Sequence, residues 1–161
     1  MSPTAIQDLY PDEFSHCHGC GRLNPHGLHI RSFWNGTEAL ATFSPEAHQI
    51  AVPGFVYGGL IASLLDCHGI ATAAAARAQA DGQPVGTGQL PRFVTAALTV
   101  NYLRPTPLGS PLEIRGVPKE LKGRRVVVEV SLSAGGNHCA RGEVVGVLMP
   151  ATMQGGHRGT D

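Results

Sequence analysis

One carboxylate, Asp66, stands in the middle of "VPGFVYGGLIASLLDCHGIATAAAARAQA" (Val52 to Ala80), a run that is otherwise apolar and rich in alanine. Enclosure among apolar groups strips a carboxylate of hydration and raises its pKa, which makes it a stronger base. The pair Gly58-Gly59 precedes it by eight and seven residues. If a helix begins there, several backbone N–H groups lack intrahelical partners and the dipole places about half a positive charge at that end. Glycine lets a carbonyl oxygen approach closely and be stabilised as negative charge develops on it. Eight residues of helix amount to about 12 Å of axial rise, so one chain's Gly58 cannot easily serve its own Asp66. Two antiparallel helices at a subunit interface would bring one chain's glycine to the other's acid.

A second constellation is "HCHGCG", in which Cys17, Cys20 and either His16 or His18 offer soft metal ligands. One Cys-x-x-Cys without a second pair is weak, so no metal and no cofactor are expected. Basic side chains suited to phosphate are Arg104 after "NYL" and Lys122, Arg124 and Arg125 in "KGRR", although residue by residue a solvated turn is the favoured explanation. His68 lies about 200° round the helix from Asp66, which argues for a bonded core histidine rather than an acid–histidine pair. Cys67 reads as a small apolar filler.

The elements that must position these groups follow from hydrophobic period and turn residues. Gly58 to about Gln79 has no proline and is mostly Ala, Leu and Ile, which predicts a helix about 33 Å long, apolar almost all round and therefore wrapped by other elements. Within it, Gly69 suggests close approach by a neighbouring backbone. Before it, "LHIRSFWNGTEALATFSP" predicts a hairpin with a type I′ turn at Asn35-Gly36. After it, the period changes to two. "FVTAALTVNYLRP", "PLEIRGVP", "RRVVVEVSLSA" and "HCARGEVVGVLMP" predict four strands, the last of them an antiparallel meander joined through "KELKG" and "GGN". Two strands, one long helix and four strands make an α+β domain with a curved antiparallel sheet around the helix. Residues 1–26 are expected as an irregular N-terminal segment, 27–150 as the domain and 151–161 as a flexible C-terminal tail. One helix cannot cover six strands without leaving open edges, so a homo-oligomer, dimer or tetramer, is expected.

Composition excludes several function classes. The 161 residues carry 12 basic and 12 acidic side chains, 42% hydrophobic and 15% charged, with a pI near 7.1. No global field attracts nucleic acid or an anionic membrane. The long apolar run holds Asp66, His68 and Arg77, each costly inside a bilayer, so no membrane span is expected. The opening residues lack a secretory pattern and four cysteines are too few for a disulfide framework, so a cytoplasmic location with reduced thiols is expected.

Four segments in order, "HGCGRLNPHGL" (His18 to Leu28), "FSPEAHQIAVPGFVYGG" (Phe43 to Gly59), "LLD" (Leu64 to Asp66) and "TVNYLRP" (Thr99 to Pro105), resemble the hotdog-fold acyl-CoA thioesterases. The resemblance spans about His16 to Met149. It implies a site shared across a dimer interface, acyl-CoA as substrate, Gly58 as oxyanion donor with Gly59 beside it, and Asp66 as general base or nucleophile. It also implies that Thr95 holds the attacking water. Tyr57 stands where such relatives usually carry His, and Ala51 where many carry Asn or Gln, while His48 and Gln49 match a recurring His-Gln. Two other readings stay open: an acyl-CoA-binding or assembly module without turnover, and a hotdog hydratase or dehydratase, which needs a placed histidine–carboxylate pair.

Overall fold

The computed structural model describes residues 2–155. Six strands, β1 (Phe33–Trp34), β2 (Ala39–Phe43), β3 (Phe93–Tyr102), β4 (Leu112–Lys122), β5 (Arg125–Ala134) and β6 (Asn137–Leu148), and one helix, α1 (Gly58–Ala80), make up the fold. The strands form one fully antiparallel sheet in the order β1-β2-β4-β5-β6-β3. It curls around α1, which packs against β2 to β6. This is the hotdog arrangement, with the helix as the filling.

α1 is long and apolar enough to cross a bilayer by length and hydropathy, but its surface is taken up by the sheet. Leu60, Ile61, Leu64, Leu65, Ile70, Ala71 and the run Ala73 to Ala76 are all buried, so apolar residues occupy every side of the helix. Small side chains bring the strands in close. A Cβ on Gly69 would lie 2.5 Å from Val144 Cγ2, so a β6 side chain, rather than a neighbouring backbone, makes that position a glycine. At the C-terminal end, Arg77 donates to Gly123 O at 2.6 Å and pairs with Asp81 at 3.6 Å, tying the last turn to the β4–β5 hairpin.

The sequence and the structure differ in two hairpins. Only Gly36 has a positive φ at the first turn, so Asn35-Gly36 is not type I′. Asn35 instead accepts from Thr37 N and Glu38 N through its side chain, a local bond that replaces the mirror-image turn. Lys119 to Lys122, expected as a connection, belong to β4, which runs on past a register shift at Pro118 to a tight turn at Gly123-Arg124. Residues 1–26 contain two single-turn 3-10 segments, Ile6–Leu9 and Asp12–Phe14, and lend Ile6, Tyr10 and Cys20 to the core. At the other end Ala151–Met153 form a 3-10 turn, and the tail expected from there to 161 falls outside the described residues after 155.

His68 shows how the sheet handles polar groups on α1. It is fully buried, its Nδ1 accepting from Ser32 Oγ at 2.8 Å and its Nε2 donating to Ala39 O at 2.9 Å. Burial pushes its pKa down to about 4 from 6.5, so it is neutral in the folded chain. As pH falls below 6.5 the unfolded chain takes up a proton that the native imidazole refuses, and stability is lost by about 1.4 kcal/mol per pH unit until pH 4. Imidazole ¹⁵N shifts at pH 5.5 are expected to show His68 neutral, and a His68→Gln variant is expected to lose stability less steeply over that range. Gly69→Ala is expected to cost about 1–2 kcal/mol, because overpacking against Val144 outweighs the helix-propensity gain of about 1 kcal/mol. Chemical denaturation checks this.

Candidate active site

Asp66 sits midway along α1, half-buried, and faces β3. Thr95 Oγ1 donates to its Oδ1 at 2.6 Å. A register shift between Thr95 and Ala97 leaves Ala96 as an extra residue opposite β6, and such bulges re-aim side chains next to sites. Burial raises the pKa of Asp66 above its ordinary 3.8, and the Thr95 hydrogen bond opposes that rise. Thr95 to Thr99 are exposed along the outer edge of β3, which pairs with β6 alone among the described residues. The acid therefore lies at an open sheet edge.

The helix start is the second part. Tyr57 precedes α1 in extended conformation and no side chain caps the helix. Among the described residues, the backbone N–H groups of Gly58 and Gly59 have no hydrogen-bond partner. Tyr57 covers Gly59, where a Cβ would collide with its ring, and Tyr102 Oη donates to Gly58 O at 2.7 Å. Burial and the neighbouring Tyr57 hold the Tyr102 phenol above its ordinary 10, so it remains a donor. Sequence reasoning did not single out Tyr102. It stands in "TVNYLRP", but nothing in its spacing reveals that β3 returns to the first turn of α1.

Two grooves flank this start. One, about 560 Å³, is lined by Val52, Phe55, Val56, Ile61 and Tyr102 with Arg104 among its wall residues. The other, about 370 Å³, is lined by His18, Leu28, His48, Gln49, Tyr57 and Ser63. His48 pairs with Glu46 at 3.4 Å and Gln49 Oε1 accepts from Glu46 N at 2.8 Å, while Gln49 O accepts from Tyr57 N at 3.0 Å. That last bond ties the His-Gln loop to the helix entrance.

The remaining basic residues lie elsewhere. Lys122, Arg124 and Arg125 surround the β4–β5 turn, which meets α1 at Arg77, about 28 Å along the helix from Gly58. Within one chain they are not brought to Gly58 or Asp66. His68 points away from Asp66 into its bonds with Ser32 and Ala39, so no histidine–carboxylate pair forms there. Gly58 and Asp66 lie on one unbroken helix and keep their separation of about 12 Å.

Comparison with known proteins agrees with this architecture. The family model of the thioesterase superfamily matches residues 53–140, from just before the helix start into β6. A thioesterase superfamily protein from Shewanella loihica PV-4 is 47% identical, over 86% of this chain and 98% of that one, with a TM-score of 0.66. A Streptococcus mutans UA159 protein solved bound to acetyl CoA is 22% identical over 74% of this chain and 86% of that one, TM-score 0.59. The Escherichia coli PaaI protein from the phenylacetic acid degradation operon is 17% identical over 76% and 81%, TM-score 0.63. Among curated proteins no sequence matches. The chain belongs to the thioesterase superfamily.

Because burial raises the pKa of Asp66, its contribution to folding is present at low pH and is lost as pH rises through the folded value. Asp66→Asn keeps an acceptor for Thr95 and removes the buried charge. Its unfolding midpoint in urea at pH 7 is expected to equal or exceed that of the parent.

Proposed function

We propose that this protein hydrolyses acyl-CoA thioesters to a carboxylic acid and free coenzyme A, in the cytoplasm, with each active site assembled from two chains. The observation that carries the reading is the pairing of Asp66 with Thr95 at an open sheet edge. A helix start with two free N–H groups on the same helix supports it.

The hydrogen-bond direction favours Asp66 as general base. Thr95 spends its proton on Asp66 Oδ1, which leaves Oδ2 and a lone pair of Thr95 Oγ1 as two adjacent acceptors. A water donating to both would present its own lone pair to a thioester carbon. Asp66 takes one proton of that water, the new C–O bond forms, and the carbonyl oxygen becomes an oxyanion. The N–H groups at Gly58 and Gly59 of the second chain receive it. Collapse breaks the C–S bond, and the proton on Asp66 returns to the departing thiolate.

Assembly from two chains is supported by what one chain leaves undone. Donor and base stand about 12 Å apart on one helix, and β3 offers ten residues of unpaired edge beside Asp66. Leu98, Tyr102, Leu103, Phe55 and Val52 are exposed near it, an apolar surface of the kind that oligomers cover. The groove of Val52, Phe55, Ile61 and Tyr102 suits an acyl group, and Arg104 suits a coenzyme A phosphate.

Thiol release from short, medium, long and aromatic acyl-CoAs is expected to reveal turnover for at least one class. Asp66→Ala and Asp66→Asn are expected to lose about 100-fold or more in kcat while remaining folded dimers. The kcat profile is expected to fall on its acid side through a pKa above 3.8, since the active form is the carboxylate. A single turnover in ¹⁸O water is expected to label the released acid; label found instead on Asp66 would make it the nucleophile. Tight acyl-CoA binding without any thiol release would favour a binding module.

A further inference from the structure

We propose that Cys17, Cys20 and Cys67 form a three-thiolate site for a soft divalent metal ion of zinc's kind, fastening the N-terminal segment to α1 beside Asp66. The three sulfurs lie within 4.8 Å of one another, two from the N-terminal Cys-x-x-Cys and one from the helix. His16 and His18, the alternatives offered by the sequence, do not join them.

The geometry suits a tetrahedral ion. Two sulfurs each about 2.3 Å from a tetrahedral centre stand about 3.8 Å apart; Cys17 Sγ and Cys67 Sγ are separated by 3.8 Å. The loop between the cysteines has the form of a metal knuckle. Gly21 N bonds back to Cys17 O at 2.8 Å, and the backbone N–H groups of Gly19 and Cys20 point at the Cys17 sulfur. Gly19 is tight against the cluster, where a Cβ would collide with Cys67 Sγ. Only a residue without a side chain lets the knuckle close on the helix.

Charge supplies an independent argument. Arg92, adjacent to β3, has a buried Nη1 with no hydrogen-bond partner among the described residues and stacks 4.6 Å over the Tyr10 ring. Among the described residues no carboxylate forms an ion pair with it, and the groups within its electrostatic reach are Tyr10, the three cysteines and Asp66. Three thiolates around a divalent ion carry one net negative charge, which a single guanidinium neutralises. The fourth coordination position remains for solvent.

Cobalt(II) titration of the fully reduced, metal-stripped full-length protein tests the site. A single equivalent is expected to produce intense thiolate-to-cobalt charge transfer in the near ultraviolet with tetrahedral visible bands, displaced by zinc. Cys67→Ala is expected to weaken binding by about tenfold or more, whereas Cys139→Ala, whose thiol is bonded to Asn137 O elsewhere, is expected to match the parent. The wild-type titration decides the matter even if Cys67→Ala fails to fold. No saturable cobalt spectrum, or undiminished binding by a folded Cys67→Ala, would overturn the proposal.

Discussion

A single helix has to fill the concave face of a six-stranded sheet, and most other features follow from that demand. A helix enclosed on most sides gains apolar burial at about 25 cal/mol per Å² and keeps only one half-buried strip, Gly59, Ala62, Ser63, Asp66 and Cys67, along its first half. Its residues must also be small wherever the strands come nearest. Gly69 against Val144 on β6, and Gly116 of β4 against Thr72 of the helix, are two faces of this fit, one gap opened in the helix and one in the sheet. Any polar side chain on α1 must then find its partner inside. Thr72 bonds back to His68 O at 2.8 Å, and His68 is satisfied at both ring nitrogens. Asp66 differs because its one donor, Thr95, leaves oxygen capacity unused and faces an open edge. On a helix whose other polar groups are bonded in this way, an incompletely satisfied acid is the candidate for chemistry.

The same helix also fixes what one chain lacks. Its N-terminal turn gathers free N–H groups, braced by Tyr102 from β3 and by the His-Gln loop through Tyr57 N. Its midpoint carries the acid and its far end meets the basic hairpin. A rigid helix holds these apart, and no loop movement within one chain would close the gap between Gly58 and Asp66. The β3 edge beside the acid, unpaired among the described residues, is where the proposed second chain would bring its helix in the opposite sense. In the proposed function, association is therefore part of the chemistry rather than an addition to stability.

Much of this was legible in the sequence, for reasons that can be located. The helix from Gly58 was readable because alanine, leucine and isoleucine run unbroken by proline for its whole length. The strands after it alternate clearly, and Asp66 was conspicuous because it was the one acid in that helix. What stayed hidden depends on contacts remote in sequence. The Lys119 to Lys122 stretch reads as a connection between two β-prone runs, but a solvent-facing β-strand carries charge readily when its neighbours are ion-paired, as Lys119 is with Glu143 at 3.1 Å. Asn35-Gly36 failed as a type I′ signal because the Asn35 side chain supplied the turn's hydrogen bonds itself. The brace from Tyr102 and the meeting of Cys67 with Cys17 and Cys20 exist only once the sheet has closed on the helix.

Three consecutive residues show how closely the parts are joined. Successive residues on a helix point about 100° apart, so Asp66, Cys67 and His68 fan out to three different neighbours. Asp66 meets β3 through Thr95, Cys67 meets the N-terminal segment through Cys17, and His68 meets β2 through Ala39. The N-terminal segment is thereby packed directly behind the acid, and Arg92 lies close enough to influence both Asp66 and the thiols. A shift of one of these neighbours rotates or translates the same turn of helix that aims Asp66. The segment before the sheet thus belongs to the support of the site, because the helix residue next to the acid is the one it grips.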